Sequence, residues 1–219
     1  MLLRQLACAA AWLALASAAS AEKLIFDAVP KQEIEANLRL AGKNNAARER
    51  RLLELFEKAG CTGDRLAEQA VRHSKIPNVI CTLGSDDGPI ILVGAHTDFA
   101  GGIGVIDNWS GASLLAALYR SLKVSPRKHT FVFVGFMGEE TGLAGSRYFA
   151  EHLTVAEKQR LRAMVNLDSL GLGPTAMWLS HADPELADPP RGQRRRFSFR
   201  SRPSTWSAWG RPTRKRSPG

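Results

Sequence analysis

Six side chains in this sequence belong to the types that hold a divalent cation or work beside one. They are His96 and Asp98 in His96-Thr97-Asp98, Asp107 in Ile106-Asp107-Asn108-Trp109-Ser110-Gly111, Glu139 and Glu140 after Gly138, and Asp168 after Asn166-Leu167. Imidazole nitrogen and carboxylate oxygen together form a ligand set suited to zinc. Each residue alone has a blander reading. A single histidine after a strand is usually a hydrogen-bonded surface group, an aspartate before a helix is usually a cap, and adjacent glutamates are usually solvated. Jointly they point to metal, because Glu139-Glu140 follows a wholly apolar run, where two carboxylates without a cation would be costly.

The elements around these residues explain how they could meet. Ile90-Ile91-Leu92-Val93 leads to His96, and Phe131-Val132-Phe133-Val134 leads to the glutamate pair. The shorter run Met164-Val165-Asn166-Leu167 leads to Asp168. Runs this dense read as strands buried on both faces, which places helices on each side of a central sheet. Asn78 to Leu83 is a further short β-branched run. Residues 22–59 read as helical, with Leu52, Leu55 and Phe56 in a stretch from Asn45 to Lys58 that Gly60 stops. Ser110 to Lys123 and Gly142 to Leu153 are further helices, and Thr154-x-x-Glu157 opens another with a capping box. The fold class expected is α/β, a three-layer α/β/α arrangement with a mixed, largely parallel central sheet, incomplete at its C-terminal end. In such sheets, ligands bind beyond the carboxyl ends of the strands. The glycines of Gly101-Gly102-x-Gly104 lack the spacing of a phosphate-binding loop; they are expected to turn the backbone so that Asp107 points back at His96.

The order His-x-Asp, Asp-x-x-Ser-Gly, Gly-Glu-Glu and Asn-x-Asp-Ser over residues 76–180 resembles the co-catalytic zinc peptidases. These include bacterial leucyl aminopeptidase and glutamate carboxypeptidase II, in metallopeptidase family twenty-eight. The resemblance implies an aminopeptidase with two Zn²⁺ ions, in which a metal-bridged water attacks the scissile carbonyl of a peptide substrate. It implies that His96 and Asp168 bind one ion, that Asp107 bridges both and that Glu140 binds the other. It further implies that Glu139 is the general base and that Asp98 orients His96. The family's last ligand, a histidine far downstream, has no counterpart here; His181 lies much closer to Asp168, so the second zinc site is expected to be incomplete. A related amidase, carboxypeptidase or single-zinc glutaminyl cyclase, and a catalytically impaired product, remain alternatives, since one metal scaffold serves several reactions.

The net charge of +9 would ordinarily raise nucleic acid as a partner. Ten of the cations fall in residues 191–219, which carry no acid, so the body is near neutral and no nucleic-acid partner is expected. Back-translated with G/C-rich codons and read two nucleotides later, residues 202–218 can spell Gly-x-x-Asp-x-x-x-Phe, like the stretch before the family's final histidine. A frameshift from about Gly192 is therefore expected, with a natural basic tail as its alternative. At the other end, Arg4, the apolar run Leu6 to Ala16 and Ala19-Ser20-Ala21 read as a secretory signal over residues 1–21, which carries Cys8 with it. A secreted or periplasmic protein without a membrane anchor follows, with residues 22–190 as its catalytic domain. Cys61 and Cys81 could pair in that compartment or stay as buried thiols. Substrate specificity and oligomeric state have no signal here.

Overall fold

The computed structural model describes residues 26–174 and residue 176. The signal segment 1–21, Cys8, His181 and the basic tail 191–219 lie outside the described residues. Helices α1 (Lys31–Leu38) and α2 (Asn45–Ala59) come first, followed by strands β1 (Leu66–Gln69), β2 (Asn78–Leu83) and β3 (Ile90–His96). Then come α3 (Ser110–Leu122), β4 (Thr130–Phe136), α4 (Ala144–His152), α5 (Val155–Arg160) and β5 (Leu161–Asn166). The five strands form one sheet in the order β1-β2-β4-β3-β5. β4, β3 and β5 run parallel, and β2 pairs antiparallel with both β4 and β1. The mixed sheet between helical layers is the expected α/β fold.

Two hydrophobic layers hold it. Leu52, Leu55 and Phe56 of α2 and Ala112, Leu115 and Tyr119 of α3 pack with Val79, Val93 and Phe133 of the sheet. On the other face Leu92, Val134 and Phe136 meet Phe149 of α4. Cys61 and Cys81 are joined by a disulfide that closes the 20-residue separation between them.

Two expectations need correction, and one strand was not foreseen. Of the stretch 22–59 expected to be helical, the described part holds two helices: α1 ends at Leu38, and Asn44 restarts the chain, its side chain accepting from the Ala47 amide at 2.8 Å. That is an N-cap, and the backbone of an N-cap residue is non-helical by nature. β1 has no β-branched residue to announce it; it forms by pairing with β2, the context that decides strands more than propensity does. Finally, β5 is not buried on both faces. Met164 and Val165 are each 47% exposed, because β5 is the last strand of the described sheet and pairs on one side only.

Candidate metal centre

Strand register sets the site. His96, the last residue of β3, stands opposite Phe136 of β4, so three residues further on β4 delivers Glu139. Gly94 stands opposite Asn166 of β5, so Asp168, two residues on, comes level with His96. The Thr97 amide donates to the Phe136 carbonyl at 2.8 Å and fixes the exits of β3 and β4 together.

His96 is buried, with 4% exposure. Its Nε2 lies 3.0 Å from an Asp107 oxygen and 3.7 Å from an Asp168 oxygen. Its Nδ1 lies 3.2 Å from the Asp98 carbonyl oxygen and 3.6 Å from the Asp98 carboxylate. With Nδ1 directed at Asp98, Nε2 is the nitrogen presented to the two carboxylates. Burial alone would lower the imidazole pKa, but the carboxylates of Asp168 and Asp98 outweigh it and push it up to about 10. Asp107 is nearer but also more open to water, 61% exposed against 46% for Asp168, which screens its charge. A site that holds a proton so firmly is one where positive charge is wanted.

One ligand atom from each of His96, Asp107 and Asp168 lies within 4.8 Å of the others, the one such group among the described residues. In a tetrahedral zinc site with ligands at about 2.1 Å, neighbouring ligand atoms stand about 3.4 Å apart. The 3.0 and 3.7 Å separations bracket that value, so these residues fit one divalent ion. For a second ion only Asp107 and Glu140 remain among the residues singled out, and Glu140 is not part of the converging group. Glu140 is also exposed and Glu139 only half-buried. The cost of burying two carboxylates after an apolar strand therefore falls on neither in full, because the turn carries them out to the rim.

Asp98 is the link between the imidazole and the glutamate turn. It is 3% exposed, and its two oxygens accept from the amides of Glu139 (3.1 Å) and Glu140 (3.2 Å). Burial would raise its pKa; His96 and these two amides outweigh that and hold it low. The turn is tied from below as well. Buried Asn78 accepts from the Met137 amide at 2.9 Å and donates to the Gly145 carbonyl at 3.0 Å.

Asn108, fully buried, performs the corresponding job for Asp168. Its side-chain oxygen accepts from the amides of Gly111 (3.0 Å) and Ser169 (3.2 Å), and its amide group donates to the Leu167 carbonyl at 2.9 Å. The Ser110 hydroxyl accepts from the Leu170 amide at 2.9 Å and donates to the Ile106 carbonyl at 2.6 Å. The start of α3 thus holds the turn of Asp107 against that of Asp168. Asn78 and Asn108 had no assigned part in the sequence, and Ser110 entered only as the serine of the Asp-x-x-Ser-Gly order. Gly111 makes the approach possible, since a Cβ there would lie 2.4 Å from the Leu167 oxygen and 2.6 Å from the Asn108 oxygen. Gly111→Ala is expected to cost about 1–3 kcal/mol in a thermal or denaturant melt, as overpacking does. It should also weaken zinc binding by displacing Asp168. A variant that melts and binds like the wild type would show that this close approach is not needed.

The sequence model of the family described as peptidase family M28 matches residues 78–195. The chain belongs to peptidase family M28. It is 31% identical to leupeptin-inactivating enzyme 1 of Streptomyces exfoliatus over 152 residues, 66% of this chain and 31% of that one. It is 37% identical to aminopeptidase YwaD of Bacillus subtilis over 83 residues, 37% of this chain and 18% of the relative. Among solved structures, the LapA aminopeptidase of Legionella pneumophila shares the fold, with a TM-score of 0.51 at 23% identity over 68% of this chain and 48% of that chain. The match to the first curated relatives spans less than a third of their length.

Proposed function

We propose that this M28 chain carries the metal-binding part of a zinc-dependent aminopeptidase. The observation that carries the reading is the meeting of His96 Nε2 with carboxylates of Asp107 and Asp168 at the carboxyl ends of parallel strands, in a member of a peptidase family. Peptides are the substrate class that such a family implies. Aminopeptidase rather than carboxypeptidase or amidase action is supported by the names of the curated relatives.

In this reading His96, Asp107 and Asp168 would hold one zinc, and Asp107 and Glu140 are the residues that would serve a second. Bound there, zinc supplies a Lewis acid that makes water easier to deprotonate and offsets charge developing on the scissile carbonyl oxygen. Glu139 accepts the proton from the attacking water and passes it to the leaving amine. Burial pushes the Glu139 carboxyl above its ordinary range; Glu140, Asp98 and Asp168 add to this and His96 opposes it. A carboxyl raised in this way is a better base near neutral pH. Asp98 keeps the Glu139 backbone and the His96 ring in one frame, so base and ligand move together.

Export to an oxidising compartment belongs to the same proposal. It is supported by the signal-like start and by the Cys61–Cys81 disulfide, which the cytosol would keep reduced. Among the described residues no helix is long and apolar enough to cross a membrane.

The test is a zinc count together with an aminoacyl-anilide panel on the 219-residue polypeptide. We expect fewer than two tightly held ions per molecule. Any anilide hydrolysis should be abolished by a chelator and restored by zinc. Hydrolysis that persists in chelator overturns the metallopeptidase reading, and a stoichiometry of two shows that another group completes the second site.

A further inference from the structure

Arg48 of α2 is fully buried, yet among the described residues no carboxylate lies within ion-pair distance of it. Its guanidinium is spent on backbone carbonyls instead. It donates to Ile103 and Gly104 at 2.8 Å each, to Gly42 at 3.3 Å and to Thr97 at 3.4 Å. The Phe99 ring covers it at 4.1 Å, and the Trp109 ring lies 6.0 Å away. One turn earlier on the same helix, the Asn45 side chain accepts from the Phe99 amide at 3.2 Å.

Apart from the Gly42 carbonyl and the Trp109 ring, these contacts fall on one segment. Thr97 and Phe99 flank Asp98, and Ile103 and Gly104 immediately precede the turn that bears Asp107. The loop wraps Arg48 so closely that a Cβ on Gly104 would lie 2.7 Å from the guanidinium and 2.6 Å from the Phe99 Cβ. Gly104 also has a φ of +50°, a conformation that glycine adopts without cost. A planar fork with five donors can bind several carbonyls at fixed angles, whereas an ammonium on a flexible stem cannot. Burying an arginine is costly; the charges of Asp98 and Asp107 oppose part of that cost, while its direct hydrogen bonds all act on the shape of the backbone.

We propose that Arg48, aided by Asn45, is a positioning residue of the metal centre: it clamps residues 97–104 in the shape that sets Asp98 and Asp107 on opposite sides of the His96 ring. The inference rests on the reading of His96, Asp107 and Asp168 as zinc ligands. It differs from a plain packing role in predicting an effect on zinc beyond any effect on stability.

The test compares Arg48→Lys, Arg48→Met and Asn45→Ala with Tyr119→Phe, which removes a core hydrogen bond to the Gly60 carbonyl far from the loop. Zinc affinity is read by competition with a chromophoric chelator, and stability by thermal melt. Loss of groups that orient metal ligands typically costs 10–100-fold in affinity. We expect about 100-fold for Arg48→Met, about 10-fold for Arg48→Lys, a smaller loss for Asn45→Ala, and none for Tyr119→Phe despite its lower melting temperature. Should Arg48→Met fail to fold, the lysine and Asn45 variants carry the comparison. Arg48→Lys binding zinc within twofold of wild type overturns the proposal. Hydrogen exchange reads the clamp independently of metal: in Arg48→Lys it should quicken across residues 98–107 and not in α3. Unchanged exchange there overturns the clamp, whereas a wild-type chain that binds no zinc overturns the reading of the centre.

Discussion

Glu139→Gln should keep its zinc and lose hydrolysis of aminoacyl-anilides, with kcat falling about 10²–10⁴-fold, the range lost when a general base is removed. The change is nearly isosteric, and the contact that places residue 139 is made by its backbone amide with Asp98, which the substitution leaves alone. Nothing in the converging group of His96, Asp107 and Asp168 is touched. The measurement pairs native-mass zinc counting with kcat on the best substrate of the panel, and KM should move much less than kcat. A glutamine variant with unchanged turnover would remove Glu139 as base. The converse pattern, zinc lost from Glu139→Gln and turnover lost from Glu140→Gln, would exchange the two glutamates' jobs. Their surroundings already differ. Burial and neighbouring carboxylates raise Glu139, which suits a proton acceptor, whereas Glu140 sits out in solvent, where a ligand could swing toward a cation.

Much of this was legible in the sequence, and what was not has a common cause. β2 begins and ends where its β-branched run does, at Asn78 and Leu83, and the Thr154–Glu157 capping box is present in both of its hydrogen bonds. The run ending in His96 and the run before Glu139 are strands buried on both faces, because hydrophobic density reports burial directly. The same signal misread β5, since an edge position is a property of the sheet and not of the residues in the strand. For the site, residue type and order were enough to single out His96, Asp98, Asp107 and Asp168. They could not show that Asp98 grips the glutamate turn, that Asn108 ties Asp107 to Asp168, or that Arg48 shapes the loop between them. Those are buried polar groups bonded to backbone amides and carbonyls far away in sequence. Such contacts leave no periodicity behind, because the partner is a peptide group that every residue has.

The affinity of the centre for zinc should climb steeply with pH, about tenfold per unit, or about 100-fold between pH 6.5 and 8.5. Without metal the His96 imidazole, raised to about 10, is protonated throughout that range, so each zinc bound there must release one proton. An imidazole at the ordinary value of about 6.5 would already be neutral above pH 7, and affinity would level off. The carboxylates do not blur the result. Asp168, held low chiefly by His96, and Asp98, held low against burial by His96 and the Glu139 and Glu140 amides, stay ionised across the window. Stability of the metal-free protein must move the opposite way. A group whose folded pKa lies above its unfolded value contributes stability that is complete below about 6.5 and is lost as pH rises through about 10. Denaturant melts in chelator should therefore weaken from pH 6.5 upward, while chelator competition shows zinc binding growing stronger. Asp168→Asn should flatten both slopes, since it removes the carboxylate that most strongly holds the proton. A zinc affinity that is flat above pH 7 in the wild type would mean that the carboxylates do not converge on His96, and the centre would lose its physical basis.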